Sequence, residues 1–137
     1  MSNHINSAAD DHSLAGHVVL VTGGSRGIGA ATARAAAQAG AAVAIGFRQE
    51  AGAASLVVDG IRDAGGEAEA YRADISDPEG AKHLIGSVEA SFGRIDGLVN
   101  NAGIMPSSPL VEMSDEEWDA VLRTDLFGPF YCSRAAL

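Results

Sequence analysis

Thr22-Gly23-Gly24-Ser25-Arg26-Gly27-Ile28-Gly29 follows the apolar run Val18-Val19-Leu20-Val21 and opens an alanine-rich stretch that continues to Gln38. A buried strand, a glycine turn and a helix in direct succession leave few architectures open. The turn must reverse sharply, let backbone N–H groups approach a ligand and let the helix pack closely on the strand, and glycine serves all three needs. The helix that follows starts with unpaired N–H groups and a partial positive charge, which suits an anion. The strand before and the helix after are what convert a glycine pattern into a candidate pyrophosphate site.

The same alternation continues along the chain. His17 to Thr22 and Ala42 to Phe47 read as short, nearly all-apolar strands, the kind buried on both faces of a parallel sheet. Glu67 to Ala73 reads as a third, more polar strand suited to an edge, and Ile95 to Asn100 as a fourth. Ile28 to Gln38, Gln49 to Ala64 and Asp77 to Phe92 read as the intervening helices, the first stopped near Gly40 and the second by Gly65-Gly66. Leu56, Val57 and Ile61 are the expected inner face of the second helix, and Pro78 suits the first turn of the third. After a loop with Pro106 and Pro109, Ser114 and Glu117 have the spacing of a capping box. The helix they start is expected to run through Trp118, Val121, Leu122, Leu126, Phe130 and Tyr131, with a kink at Pro129. Strands alternating with helices imply right-handed crossovers and a parallel sheet. The expected fold class is α/β: a Rossmann-type doubly wound parallel sheet of order 3-2-1-4, truncated after the fourth strand and the helix that follows it. Residues 1–16 read as a flexible tail and residues 17–137 as one domain, incomplete at its C-terminus.

Composition removes several function classes. The 137 residues carry 18 acidic and 9 basic side chains, a formal net charge of −9, which argues against nucleic acid as a partner. On so acidic a chain, positive charge aimed at a phosphorylated ligand must be local, so single arginines carry information. The lone Cys132 excludes an internal disulfide and fits a reducing compartment, so the cytoplasm is the expected location. No apolar run reaches membrane-spanning length, and Met1 to Ser13 lack the apolar core and basic flank of a secretory signal. His4, His12, His17 and His83 show no metal-ligand spacing, and no lysine follows the glycine turn as a P-loop requires. Cys132 and Trp118 are expected to pack rather than to take part in a site.

Motifs in register then become specific. The turn is Thr-Gly-x-x-x-Gly-x-Gly at Thr22 to Gly29, Asp74-Ile75 follows the third strand, and Asn100-Asn101-Ala102-Gly103 follows the fourth. This set, from His17 onward, resembles the short-chain dehydrogenase/reductase family, its ketoacyl-carrier-protein-reductase-like members above all. The resemblance implies a dinucleotide cofactor. Gly23, Ser25, Arg26, Gly27, Ile28 and Gly29 would form the pyrophosphate turn. Asp74 would accept from the adenine amino group with Ile75 packed on the ring, and Asn101, Ala102 and Gly103 would lie along the ribose. Asn100 is expected to brace the turn. Where such folds bind NAD, a carboxylate usually ends the second strand. Here Ala44-Ile45-Gly46-Phe47 runs into Arg48, with no acid until Glu50. Arg48 with Arg26 suits a clamp on a 2′-phosphate, so NADP(H) is expected in preference to NAD(H).

The resemblance further implies an oxidoreductase that reduces a carbonyl or oxidises a secondary alcohol. Its chemistry rests on a Tyr as general acid or base, a Lys four residues on and a Ser before them. Tyr71 is followed four residues later by Ile75 and Tyr131 by Ala135, and the only lysine is Lys82 on another helix. No Tyr-x-x-x-Lys pair can be made from these residues. Asp125 matches the family's remaining catalytic position, where Asn is usual; a carboxylate accepts hydrogen bonds but cannot donate an amide proton. Three functions stay open: the cofactor half of an oxidoreductase for a small carbonyl or alcohol, a non-catalytic dinucleotide-binding module, and a truncated remnant without function. A fourth strand without its usual next neighbour, together with bare Leu126, Phe130 and Tyr131, makes self-association the expectation. A positioned acid–base group contributes about 10²–10⁴-fold to a rate. The chain on its own is therefore expected to oxidise no NADPH above the blank with a panel of aldehydes and ketones, followed by absorbance. Turnover that disappears when a residue of this chain is changed would overturn that expectation.

Overall fold

The computed structural model describes residues 13–137. Of the tail expected over residues 1–16, residues 1–12 lie outside the described residues. In chain order the elements are β1 (Val18–Thr22), α1 (Gly27–Gln38), β2 (Ala42–Phe47), α2 (Ala51–Asp63), β3 (Ala68–Arg72), α3 (Pro78–Phe92), β4 (Gly97–Val99), α4 (Asp115–Leu122), a π-helical turn (Arg123–Phe127) and α5 (Gly128–Ala136). The strands form one parallel sheet in the order β3-β2-β1-β4. This is the doubly wound order that the alternation of strands and helices predicts.

The centre of the sheet follows from the scarcity of polar side chains in β1 and β2, where Thr22 is the one exception. All five residues of β1 are buried, and alternate side chains leave a strand on opposite faces. Val19, Val21, Val43 and Ile45 enter one core with Ala30 and Ala33 of α1 and Val57 and Ile61 of α2. Val18, Leu20 and Ala44 enter the other with Leu84, Ile85 and Val88 of α3 and Cys132 of α5. The polar strand β3 pairs only with β2, at the sheet edge. The fold begins before His17: Leu14 packs against the α1/α2 core, and its N–H donates to the Ala39 carbonyl at 2.9 Å.

Three elements differ from expectation for physical reasons. The inner face of α2 is Ala54, Val57, Val58 and Ile61, and Leu56 is exposed. Spacings of three, four and seven residues place those four on one stripe, and Leu56 falls outside it. The strand expected over Ile95 to Asn100 is only Gly97–Val99; a side chain shares the pairing with backbone at its start and side chains take it over at its finish. Asp96 Oδ2 accepts from the Val18 N–H at 2.8 Å at the start, and Thr22 Oγ1 accepts from the Asn101 N–H at 3.1 Å at the finish. Hydrogen bonds from Arg94 and from the Val18 N–H hold the Asp96 carboxyl below the usual carboxylate range.

The third difference is the last helix. Its start is as expected, with a capping box between Ser114 and Glu117. The helical run is unbroken from Asp115 to Ala136 with Pro129 inside it, as expected, but Arg123–Phe127 just before the proline widens into a π turn. A proline offers no N–H and its ring crowds the carbonyl four residues back, and a widened turn relieves both. Gly128 brings α5 against Ile75, where a Cβ would lie 2.9 Å from Ile75 Cδ1. Trp118 is exposed rather than packed, as are Leu126, Phe127 and Phe130. Arg134 lies over the Phe130 ring, 4.7 Å from its centroid. Among the described residues no helix is long and apolar enough to cross a membrane.

Cys132 is fully buried, and burial pushes its thiol up to about 11. The thiolate is the reactive form, so a neutral buried thiol is protected twice. Iodoacetamide near neutral pH should leave Cys132 unmodified in the folded protein and modify it fully in denaturant, as read by mass spectrometry. Rapid alkylation without denaturant would mean that α5 does not hold its place on α3.

Candidate functional site

In an open doubly wound sheet, neighbouring strands whose chains depart to opposite faces leave a crevice at their C-terminal ends. Here that crevice opens between β1 and β4, beside the ends of β2 and β3, as a cavity of about 280 Å³. Its walls are the glycine turn, residues 46–50 at the end of β2 and just past it, residues 73–75 after β3, residues 101–104 after β4, and Thr124.

One side chain joins the two sides of the crevice. Thr22 is buried at the last position of β1, and its Oγ1 accepts from the N–H groups of Asn101 at 3.1 Å and Ala102 at 3.0 Å. The return contact is the Asn101 amide, whose Nδ2 donates to the carbonyls of Thr22 and Gly23, both at 3.1 Å. Bracing of the turn therefore belongs to Asn101. Asn100, expected in that role, instead donates from Nδ2 to Ser133 Oγ at 3.1 Å. The packing explains the glycines. Gly23 has φ +64°, and a Cβ there would lie 2.9 Å from the Ala102 Cα. A Cβ on Gly29 would lie 2.2 Å from the Gly23 carbonyl oxygen. Neither distance admits a side chain, so turn, helix and β4 loop meet only if both positions are glycine.

Helix α1 begins at this turn without a side-chain cap and without an acid in its first turn. The starts of α3 and α4 differ: Asp77 accepts from the Gly80 N–H at 3.0 Å at the head of α3, and the capping box closes α4, whereas α2 starts uncapped like α1. The first N–H groups of α1 are thus left to solvent or to an anion.

The remaining candidate residues divide. Ser25, Arg26, Arg48, Asp74, Ile75, Ala102 and Gly103 line the cavity together with Gly23 and Asn101. Gly27, Ile28 and Gly29 lie in the first turn of α1, outside that lining, and Ile28 is exposed. Asp74 is exposed and uses Oδ1 to accept from the Ser76 N–H at 3.0 Å and the Ser76 hydroxyl at 2.6 Å. Ile75 is only 6 % exposed; its side chain joins the α3/α5 core while the residue also lines the cavity. Asp125, in the π turn, accepts from the Ile104 N–H at 2.8 Å through Oδ1 and so ties down the loop after β4. Tyr71 is committed elsewhere: burial and a hydrogen bond to Glu69 push its hydroxyl up to about 12.

Two participants were not singled out from sequence. Thr22 carried a signal, since a hydroxyl at the end of an otherwise apolar buried strand needs a partner. Glu50 stands just before α2, lines the cavity and lies 4.0 Å from Arg26 across its mouth. The β2–α2 connection is so short that an acid past the strand end still reaches the site.

A family model described as short chain dehydrogenase matches residues 17–137. Among curated proteins, a 3-oxoacyl-[acyl-carrier-protein] reductase of Synechocystis sp. is 44% identical over 122 residues, 89% of this chain and 49% of that protein. Versicolorin reductase 1 of Aspergillus parasiticus is 40% identical over 128 residues, 93% of this chain and 49% of that protein. A solved dehydrogenase/reductase of Sinorhizobium meliloti 1021 superposes with a TM-score of 0.88 at 44% identity, over 93% of this chain and 50% of its own. A short chain dehydrogenase of Burkholderia cenocepacia J2315, solved in complex with NADP, gives 0.87 at 42% identity, over 90% and 50%. The chain spans about half the length of the curated relatives it matches.

Changing Thr22→Val keeps the shape of β1 and removes the acceptor of the Ala102 N–H, while the Asn101 N–H keeps its second acceptor, the Val99 carbonyl at 3.0 Å. Leaving a partly buried donor unmatched costs up to about 1–3 kcal/mol. The denaturant midpoint should fall accordingly with far-ultraviolet circular dichroism unchanged, and an unaltered midpoint would show that the contact contributes no stability.

Proposed function

Because this chain belongs to the short-chain dehydrogenase family, we propose that residues 17–137 hold NADP(H) in the crevice between β1 and β4. They would form the cofactor-binding half of an oxidoreductase for small carbonyls or secondary alcohols. The observation that supports this most directly is the uncapped start of α1 at a turn whose glycines admit no side chain, with Arg26 and Arg48 on the same cavity. A pyrophosphate is an anion of the right size for such a helix start. The residues present fit the group in a second way: a small-residue wall at Ala102 and Gly103 leaves the backbone approachable.

In this reading the bound dinucleotide supplies the hydride. The chain's own work is positional. Thr22 and Asn101 hold the two sides of the crevice at fixed separation, and Asp125 orders the loop after β4. Arg26 and Arg48 offer guanidinium groups to a 2′-phosphate. The family's Tyr/Lys pair has no counterpart in these residues, so by themselves they bind the cofactor without turning it over. A module that only binds the dinucleotide is the second reading, supported by the same absence.

Charge-assisted contacts contribute about 1.5–3 kcal/mol, or roughly ten- to a hundredfold in affinity. Arg48→Asp should weaken NADPH binding by that order and spare NADH, measured by fluorescence titration of the nicotinamide. Equal affinities for NADPH and NADH in the unmodified chain would overturn the assignment of the arginines.

A further inference from the structure

On the reading that the crevice holds a nicotinamide dinucleotide, we propose that Glu50 is a specificity-determining residue. Its carboxylate competes with a 2′-phosphate for Arg26, and it accepts the 2′-hydroxyl when no phosphate is present. Arg26 and Glu50 occupy equivalent places at the heads of α1 and α2, each just before its helix. Neither side chain caps its own helix. Instead both line the cavity, and Arg26 Nη1 lies 4.0 Å from Glu50 Oε1. Arg48, which lines the same cavity, has no ion-pair partner among the described residues.

The chemistry follows from charge and exposure. The paired side chains are 78% and 53% exposed, so the contact is weak and exchangeable. A phosphate monoester carries about −1.5 to −2 charge and draws Arg26 away from a single carboxylate. Glu50 then stays beside that phosphate as a like charge, which lowers its affinity. A ribose hydroxyl reverses the balance. It donates to the carboxylate, Glu50 remains paired with Arg26, and no repulsion arises. The preference for a 2′-phosphate is therefore smaller than two arginines alone would give, and NAD(H) keeps a usable site.

Two nucleotides that differ only at the 2′ position isolate the effect: adenosine 2′,5′-bisphosphate and adenosine 5′-monophosphate, each titrated calorimetrically into the full chain. Glu50→Gln should tighten the bisphosphate by about three- to tenfold and leave the monophosphate unchanged or weaker. Glu89→Gln on α3 makes the same change in net charge away from the crevice and should alter neither. An unchanged bisphosphate affinity in Glu50→Gln overturns the proposal. So does an equal gain for both nucleotides, or the same gain from Glu89→Gln. If the unmodified chain binds neither nucleotide, the dinucleotide reading fails and this one with it. Binding of both without a selective Glu50 effect overturns this one alone.

Discussion

The crevice exists because β1 and β4 part at their C-terminal ends without coming undone. The ladder between them stops at Val99, paired with Val21. Beyond it the buried hydroxyl of Thr22 takes over, accepting from two successive N–H groups, while the Asn101 amide spans back to two carbonyls of the turn. Side chains thus do at the mouth what backbone does in the sheet. The exchange matters because backbone pairing would hold the strands at ladder spacing and close the space. It also matters because unmatched N–H groups at that depth would be costly. A single threonine and a single asparagine let the strands separate with their polar groups satisfied, and the turn glycines then fit into the room that is left.

Electrostatics at the mouth run against the chain as a whole. The formal net charge is −9, yet the turn and the end of β2 supply two arginines to one cavity. The contrast between helix starts points the same way. Asp77 and Ser114 close α3 and α4 with side-chain oxygens, and an acid also stands in the first turn of each. Helix α1 has neither. A helix that began with an aspartate cap would be more stable on its own, typically by about 0.5–2 kcal/mol. Leaving α1 open forgoes that stability and keeps its positive end available. Helix α2 also starts without a side-chain cap or an acid in its first turn, so what sets α1 apart is that its open start lies at a turn whose glycines admit no side chain, beside the cavity.

Most of the fold was legible because its signals are local. The all-apolar runs of β1 and β2, the polar β3 and the capping box at Ser114 each carry their own evidence within a few residues, and their order fixes the sheet. What was not legible depends on partners distant in sequence. Nothing near Asn100 and Asn101 says which of the two turns toward Thr22 and which toward Ser133 on α5. Leu56 is more apolar than Ala54, but only the helix phase set by the sheet decides that Ala54 faces in. Ile75, expected at a ligand, lines the cavity, but its packing in the core against α5 at Gly128 could not be read from the sequence. The site residues found by motif are therefore the ones whose role is backbone shape, while the side-chain contacts among them emerged only from the structure.

The π turn shows how a sequence irregularity can set a site. Pro129 cannot continue an α-helix without losing a hydrogen bond, and the chain widens over Arg123–Phe127 just before it. That segment is the one that meets the crevice: Thr124 lines the cavity and Asp125 accepts from the Ile104 N–H. The contact asks only for an acceptor. An asparagine supplies one through its carbonyl oxygen and adds a donor, whereas an aspartate supplies acceptors alone. Substituting the carboxylate therefore preserves the tie between the π turn and the loop after β4, and it removes any proton donation from this position. The geometry makes Asp125 a positioning residue. Because the same turn orients Gly128 against Ile75, the loop after β4, the wall after β3 and the head of α5 are held in one arrangement by a five-residue widening of the helix.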